Sequence, residues 1–246
     1  MGMYPRCLLF SILAMLLSTG YAAAAPVTIQ SGPIRCNLLE LYTSEGCSSC
    51  PPAEAWFSTL RQDSRLWKEV VPIAFHVNYW DDLGSKDPLA TQAFTDRQRH
   101  YAAAWRAESV YTPEFVLDGQ EWRDRDLDAI PSSTVDAGKL SATLHDNGDL
   151  QVTFEPSTKT GGAWEAHAAL VGFGVSSDVK AGENSGRRLV HDFVALALES
   201  SEMKGDVPSA LVHLPADQIS PGHSALVVWI TESGKLDPVQ AAGGNL

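Results

Sequence analysis

Cys47 and Cys50 stand in the stretch Glu40-Leu-Tyr-Thr-Ser-Glu-Gly-Cys-Ser-Ser-Cys-Pro-Pro-Ala53. A dithiol at this spacing can exchange disulfides. The thiolate is the attacking species, and a second thiol one helical turn on can attack the mixed disulfide that forms. The flanking residues read as the elements that position such a pair. The apolar run Leu38 to Tyr42, broken only by Glu40, reads as a buried strand, and Thr43 to Gly46 reads as a loop. Pro51 and Pro52 suit the first turn of a helix, where no N–H partner is required. A helix start aims free N–H groups and the positive dipole end at Cys47, which favours its thiolate. Ser48 and Ser49 add no positive charge, so the expected pKa depression is moderate and a strong oxidant is not expected. The same CxxC also fits a structural disulfide or half of a metal site, but no second CxxC or CxxH accompanies it.

Other residues are weighed against this pair. Cys36 lies eleven positions before Cys47, at the start of the strand, and reads as a buried small hydrophobe. His76, inside Phe-His-Val, reads as a core histidine satisfied by hydrogen bonds. Tyr79-Trp80-Asp81-Asp82 is expected to wall the dithiol. Gly182-Glu-Asn-Ser-Gly186 and His191-Asp192 suggest no local mechanism, and His191-Asp192 reads as a packing pair between domains. Neither a hydrolase nucleophile motif nor a Gly-rich phosphate loop is present.

The first 25 residues run from Arg6 through an apolar stretch to Ala22-Ala-Ala-Ala25, the order of a cleavable signal peptide. That address implies a periplasmic or secreted protein in an oxidising compartment. The chain carries 18 basic and 30 acidic residues, a formal charge of −12; removal of Arg6 leaves 17 against 30, or −13. Such a balance argues against nucleic acid and anionic lipid as partners. No later apolar run is long enough to span a membrane, and no cofactor motif appears.

Residues 26–34 read as a lead-in. Val70 to Trp80 reads as a second buried strand. Asp87-Pro88 reads as the cap and first turn of a helix running to about Arg106, with Phe94, Tyr101 and Trp105 on one face and Arg97 and Arg99 solvated. Phe115 to Leu117, ending in Asp118-Gly119, reads as a strand entering a hairpin. Further strands are expected at Leu140 to Phe154 around Asn147-Gly148, at Ala166 to Val175, at Leu189 to Leu198 (alternatively helical) and at Ala225 to Ile230, before a C-terminal tail. This pattern predicts an α/β domain at 35–135, a central mixed sheet flanked by helices. An antiparallel β-rich, sandwich-like domain is predicted at 136–246.

Cys47-Ser-Ser-Cys50 after a buried strand, with Tyr111-Thr-Pro113 ahead of a hairpin, resembles the thioredoxin fold. The resemblance implies a thioredoxin-like first domain, a cis Pro113 facing the dithiol, and a Thr112 backbone that pairs with a partner's extended chain. It also places Glu40 as a buried acid that moves the resolving cysteine's proton. Gly46 stands where thioredoxins carry a Trp, which removes the implication of a general thioredoxin-type reductant. The chain as a whole is similar to a secreted bacterial family labelled domain of unknown function 1223. That likeness rests on Glu40 to Ala53, Phe75-His-Val-Asn-Tyr-Trp-Asp81, Tyr111 to Gly119 and Gly182 to Val194.

The expected function is a secreted or periplasmic thiol–disulfide oxidoreductase acting on protein thiols and disulfides of the cell envelope. Cys47 is its nucleophile and Cys50 its resolving thiol; Glu40, Thr112 and Pro113 support them, and no metal is involved. Two readings from other classes stand beside it: a Cu(I)- or Zn-binding module using Cys47, Cys50 and His76, and an adaptor whose cysteines are a structural staple.

Overall fold

The computed structural model describes residues 25–84, 86–124, 126–158 and 162–246. Residues 1–24, which hold most of the expected signal peptide and Cys7, lie outside them. Strand β1 (Val27–Gln30) is followed by β2 (Asn37–Thr43), α1 (Cys50–Ser58), β3 (Val70–His76), α2 (Gln92–Trp105), β4 (Glu114–Leu117) and β5 (Gln120–Glu121). Then come β6 (Gly138–Leu144), β7 (Asp149–Pro156), β8 (Trp164–Gly172), β9 (Val175–Asp178), β10 (Arg188–His191) and β11 (Val194–Glu202). The chain closes with β12 (Ser209–His213), β13 (Ser224–Glu232) and β14 (Pro238–Asn245). No helix among the described residues is long and apolar enough to cross a membrane.

The predicted fold class, a helix-flanked thioredoxin-like α/β domain followed by a separate sandwich, is not what forms. The protein is mostly β, with two α-helices among the described residues. One sheet of order β14-β13-β8-β11-β3-β2-β4-β5 runs through both halves of the chain. The join is made where β11 pairs in parallel with β3, Val194 opposite Ala74. The physical reason is burial on both faces of the C-terminal strands. In β13, Ala225, Val227 and Trp229 enter the core that holds Leu39, Phe57 and Phe75. The alternate residues Leu226, Val228 and Ile230 enter a second core against the four-stranded sheet β1-β6-β7-β12. A strand of period two with apolar residues at every position has no solvent face, so it lies inside a shared sheet.

Both ends of the described chain are sheet. The expected lead-in contains β1, which pairs with β6, and the expected tail is β14, paired along its length with β13. Leu189 to Leu198 is extended, divided at Phe193, whose φ of 57° turns the chain between β10 and β11. The helix expected from Asp87 starts later. Thr91 caps α2 by accepting the Phe94 N–H at 3.2 Å, while Asp87 accepts the Leu89 N–H at 2.9 Å in the loop ahead of the helix and turns its other oxygen to His76. Arg97, expected in solvent, is buried. Its guanidinium grips both oxygens of Glu40 at 2.7 and 2.9 Å, and Tyr42 and Tyr101 donate to the same carboxylate at 2.8 and 2.6 Å. Fully hydrogen-bonded, this ion pair fixes α2 on one face of the sheet.

Candidate functional site

Strand directions gather the functional residues at one sheet edge. β3 runs parallel to β2, so His76 ends level with Thr43. β4 runs antiparallel to β2, with Glu114 opposite Tyr42, so Thr112 and Pro113 arrive at the same end. The β9–β10 hairpin precedes the parallel join of β11 to β3 and lands there too. The loop after β2 carries Cys47, and Cys50 opens α1 with Pro51 and Pro52 in its first turn.

The three cysteines among the described residues are free thiols and all are buried. The Cys47 sulfur lies 3.3 Å from the Ser49 hydroxyl and 3.7 Å from the Thr112 carbonyl oxygen. The Thr112–Pro113 peptide is cis. Hydrogen bonding from Cys50, aided by Ser49 and Thr112, outweighs burial and lowers the Cys47 pKa from 9.0 to about 6. Burial, together with the hydrogen bond and charge of Cys47, drives Cys50 far above the usual thiol range. The two sulfurs thus have opposite acidities, and the first is a thiolate near neutral pH.

Around them, Trp80 donates its indole N–H to the Thr112 hydroxyl at 2.8 Å. Its Cβ packs so closely on Gly46 that a Cβ at position 46 would meet it at 2.8 Å. That contact accounts for a glycine before the first cysteine. Of the predicted supporting residues, Thr112 and Pro113 stand beside the dithiol. Glu40 does not face it: Glu40 and Tyr42 point to the α2 face, whereas Thr43, one pleat on, hydrogen-bonds Glu54 of α1. Cys36 sits before β2, its thiol donating to the Lys68 carbonyl at 2.9 Å and its pKa pushed up to about 11 by burial.

The cover of the site has no role in the sequence reading. Glu183 accepts the Ser48 N–H at 2.9 Å, and the Asn184 amide donates to the carbonyls of Glu45 and Cys47 at 2.9 and 2.8 Å. Arg187 in turn donates to the Asn184 side-chain oxygen at 2.6 Å. The Gly182–Gly186 turn thereby clamps the backbone of the CxxC loop, in which Cys47 is only 1 % exposed. Its residue types carried a signal: two glycines around Glu and Asn mark a turn, and both glycines adopt positive φ, 78° and 79°.

Beneath the loop lies a polar cluster. His76 Nδ1 is 2.7 Å from Asp87 Oδ2, which also accepts the Glu45 N–H at 2.9 Å. His191 Nδ1 is 2.6 Å from Glu54 Oε2, and its Nε2 is 3.4 Å from Glu45 Oε1. Burial alone would lower the His191 pKa, but hydrogen bonds to Glu45 and Glu54 raise it to about 9. His76 is therefore satisfied at one ring nitrogen, not both. Among the described residues, Glu54, His76 and His191 are the group of three such donors close enough to share a metal ion. The alternative set of Cys47 and Cys50 with His76 is not brought together.

Fold and site together define a class: a mostly β protein of two large sheets and a two-stranded one, with a buried dithiol at one end of its mixed sheet. The chain belongs to the family described as "Protein of unknown function (DUF1223)", which matches residues 38–231. No curated protein matches it. Two solved structures are similar in fold. A protein from Agrobacterium tumefaciens is 23 % identical, with a TM-score of 0.61 over 84 % of this chain and 92 % of its own. HBP35 of Porphyromonas gingivalis is 12 % identical, with a TM-score of 0.57 over 88 % of this chain and 76 % of its own.

Proposed function

We propose that this protein is a thiol–disulfide oxidoreductase of an extracytoplasmic compartment, acting on protein disulfides through Cys47 and Cys50. The observation that supports it best is the split acidity of the pair, with Cys47 lowered to about 6 and Cys50 raised. The Cys47 thiolate attacks one sulfur of a substrate disulfide; that S–S bond breaks and the other substrate sulfur leaves as a thiolate. Cys50 gives up its proton and attacks the Cys47 sulfur. The substrate sulfur bound to Cys47 leaves with the electron pair of that bond, and a Cys47–Cys50 disulfide remains. Two electrons pass from the dithiol to the substrate. The low Cys47 pKa makes it the attacking group in the first step, and in the second step its sulfur is the one Cys50 attacks.

A substrate reaches the buried Cys47 sulfur only if the CxxC loop opens, and the Gly182–Gly186 turn holds that loop's backbone. The half-buried Thr112 backbone next to the site is the edge on which an extended chain would lie. The test is disulfide exchange with glutathione and reduction of insulin. Cys47→Ala abolishes both, Cys36→Ala keeps both, and Cys50→Ala accumulates a mixed disulfide on Cys47. Full activity in the Cys47→Ala variant would sink the reading.

A further inference from the structure

We infer that the chain holds a divalent transition-metal ion, zinc in type, on Glu54, His76 and His191. This site lies beneath the dithiol and uses neither of its sulfurs. One donor atom from each residue lies within 4.8 Å of the other two. A tetrahedral zinc with bonds of roughly 2.0–2.2 Å holds its donors about 3.4 Å apart, so a small contraction closes the set. The two imidazole rings meet edge to face with centroids 4.7 Å apart.

Three features argue for a cation over a plain polar core. First, His76 is wholly buried and its Nε2 has no hydrogen-bond partner among the described residues. An unpartnered buried polar atom costs about 1–3 kcal/mol, which marks a place where something else binds. Secondly, each ring is already oriented as a metal ligand is. His76 shows its Nδ1 to the Asp87 carboxylate at 2.7 Å, which turns Nε2 inward. His191 presents Nδ1 on the side of Glu54, 2.6 Å away, while its Nε2 faces the Glu45 carboxylate at 3.4 Å. Thirdly, Glu45, Glu54 and Asp87 are all buried. Three buried carboxylates against two imidazoles make an interior whose charge a divalent ion neutralises. Two nitrogens and a carboxylate oxygen form a donor set that suits zinc.

The ligands come from α1, the end of β3 and the end of β10. The ion would therefore tie the covering hairpin to the helix that carries Cys50. The inference stands apart from the redox reading, and its test removes the sulfurs. A full-chain variant lacking Cys36, Cys47 and Cys50 is titrated with zinc by calorimetry and with cobalt by visible absorption. The expected result is one ion per chain, a cobalt spectrum without sulfur charge transfer, and a thermal midpoint that rises with zinc. His76→Ala or His191→Ala in that background abolishes binding while circular dichroism shows the fold retained. Asp87→Asn, which only orients His76, weakens zinc about 10–100-fold. Should either histidine variant fail to fold, Glu54→Gln provides the same comparison. No bound ion in the cysteine-free chain, or undiminished binding in the histidine variants, overturns the inference.

Discussion

The acidity of Cys47 can be read directly, because titration of a thiolate needs no access to it. A pKa of about 6 against the ordinary 9.0 leaves about 90 % of Cys47 ionised at pH 7, where an unperturbed thiol would be about 1 % ionised. That roughly 90-fold gain in thiolate does not become a 90-fold gain in reactivity. Intrinsic nucleophilicity falls with a Brønsted slope of about 0.4–0.5, so three units forfeit roughly 20-fold and the net gain is about fourfold. Alkylation rates would mix this modest factor with burial of the sulfur. The thiolate's ultraviolet absorbance, followed from about pH 4 to about pH 10, separates them. In a Cys36→Ala background the first step should have a midpoint near 6, and Cys50 should not ionise in that range. Cys50→Ala removes the principal hydrogen-bond donor and should move the midpoint up toward the ordinary thiol range. A first midpoint above about 8, or one that Cys50→Ala leaves in place, would refute the assignment of the low pKa to the Cys50 hydrogen bond.

Asn184→Ala removes two hydrogen bonds from the cover, together worth about 1.4 kcal/mol or more. Iodoacetamide should label Cys47 roughly tenfold faster in that variant, with the titration midpoint unmoved. Arg97→Met leaves Glu40 buried without its cation and should cost about 3–5 kcal/mol in denaturant unfolding. Burial raises the Glu114 pKa from 4.5 to about 7. The folded state therefore binds more protons than the unfolded one between those values, and stability falls as pH rises through that window. Glu114→Gln should flatten this slope, as followed by the urea midpoint at several pH values. Gly46→Ala places a Cβ against Trp80, 2.8 Å from its Cβ; a loss of about 1–3 kcal/mol and a shifted tryptophan emission are expected.

The dithiol, its strand and its helix are legible in the sequence because they are local. Apolar runs mark β2 and β3, the prolines mark the start of α1, and Asp118, Gly119 and Gly148 take the positive φ values that their turns require. What sequence patterns hide is pairing at long range. Arg97 looks solvated on the α2 helical wheel because its partner Glu40 is 57 positions away. Asp87 looks like a helix cap because its ring partner His76 lies on a strand eleven residues earlier. The Ala-Ala-Gly-Gly segment looks like a tail because small residues carry little strand signal. Gly243 is nonetheless required there, since a Cβ would lie 2.2 Å from the Trp67 ring. The fold class failed at the same level: no local feature announces that β11 will pair with β3.

That one parallel join also separates reactivity from access. The acidity of Cys47 arises in its own loop, from Cys50 and Ser49 with help from Thr112. Its cover is supplied by the Gly182–Gly186 turn of a hairpin, which reaches the site because β11 lies beside β3. Changes in the CxxC loop should therefore move the titration with little effect on labelling once the site is open. Changes in the hairpin should move labelling and leave the titration alone. If the protein is the oxidoreductase proposed, selectivity for a partner would rest with contacts to the hairpin rather than with the sulfur. Partner variants that lose exchange should then map to Glu183 and its neighbours, and Glu183→Lys should change which disulfides are reduced while the Cys47 midpoint stays near 6.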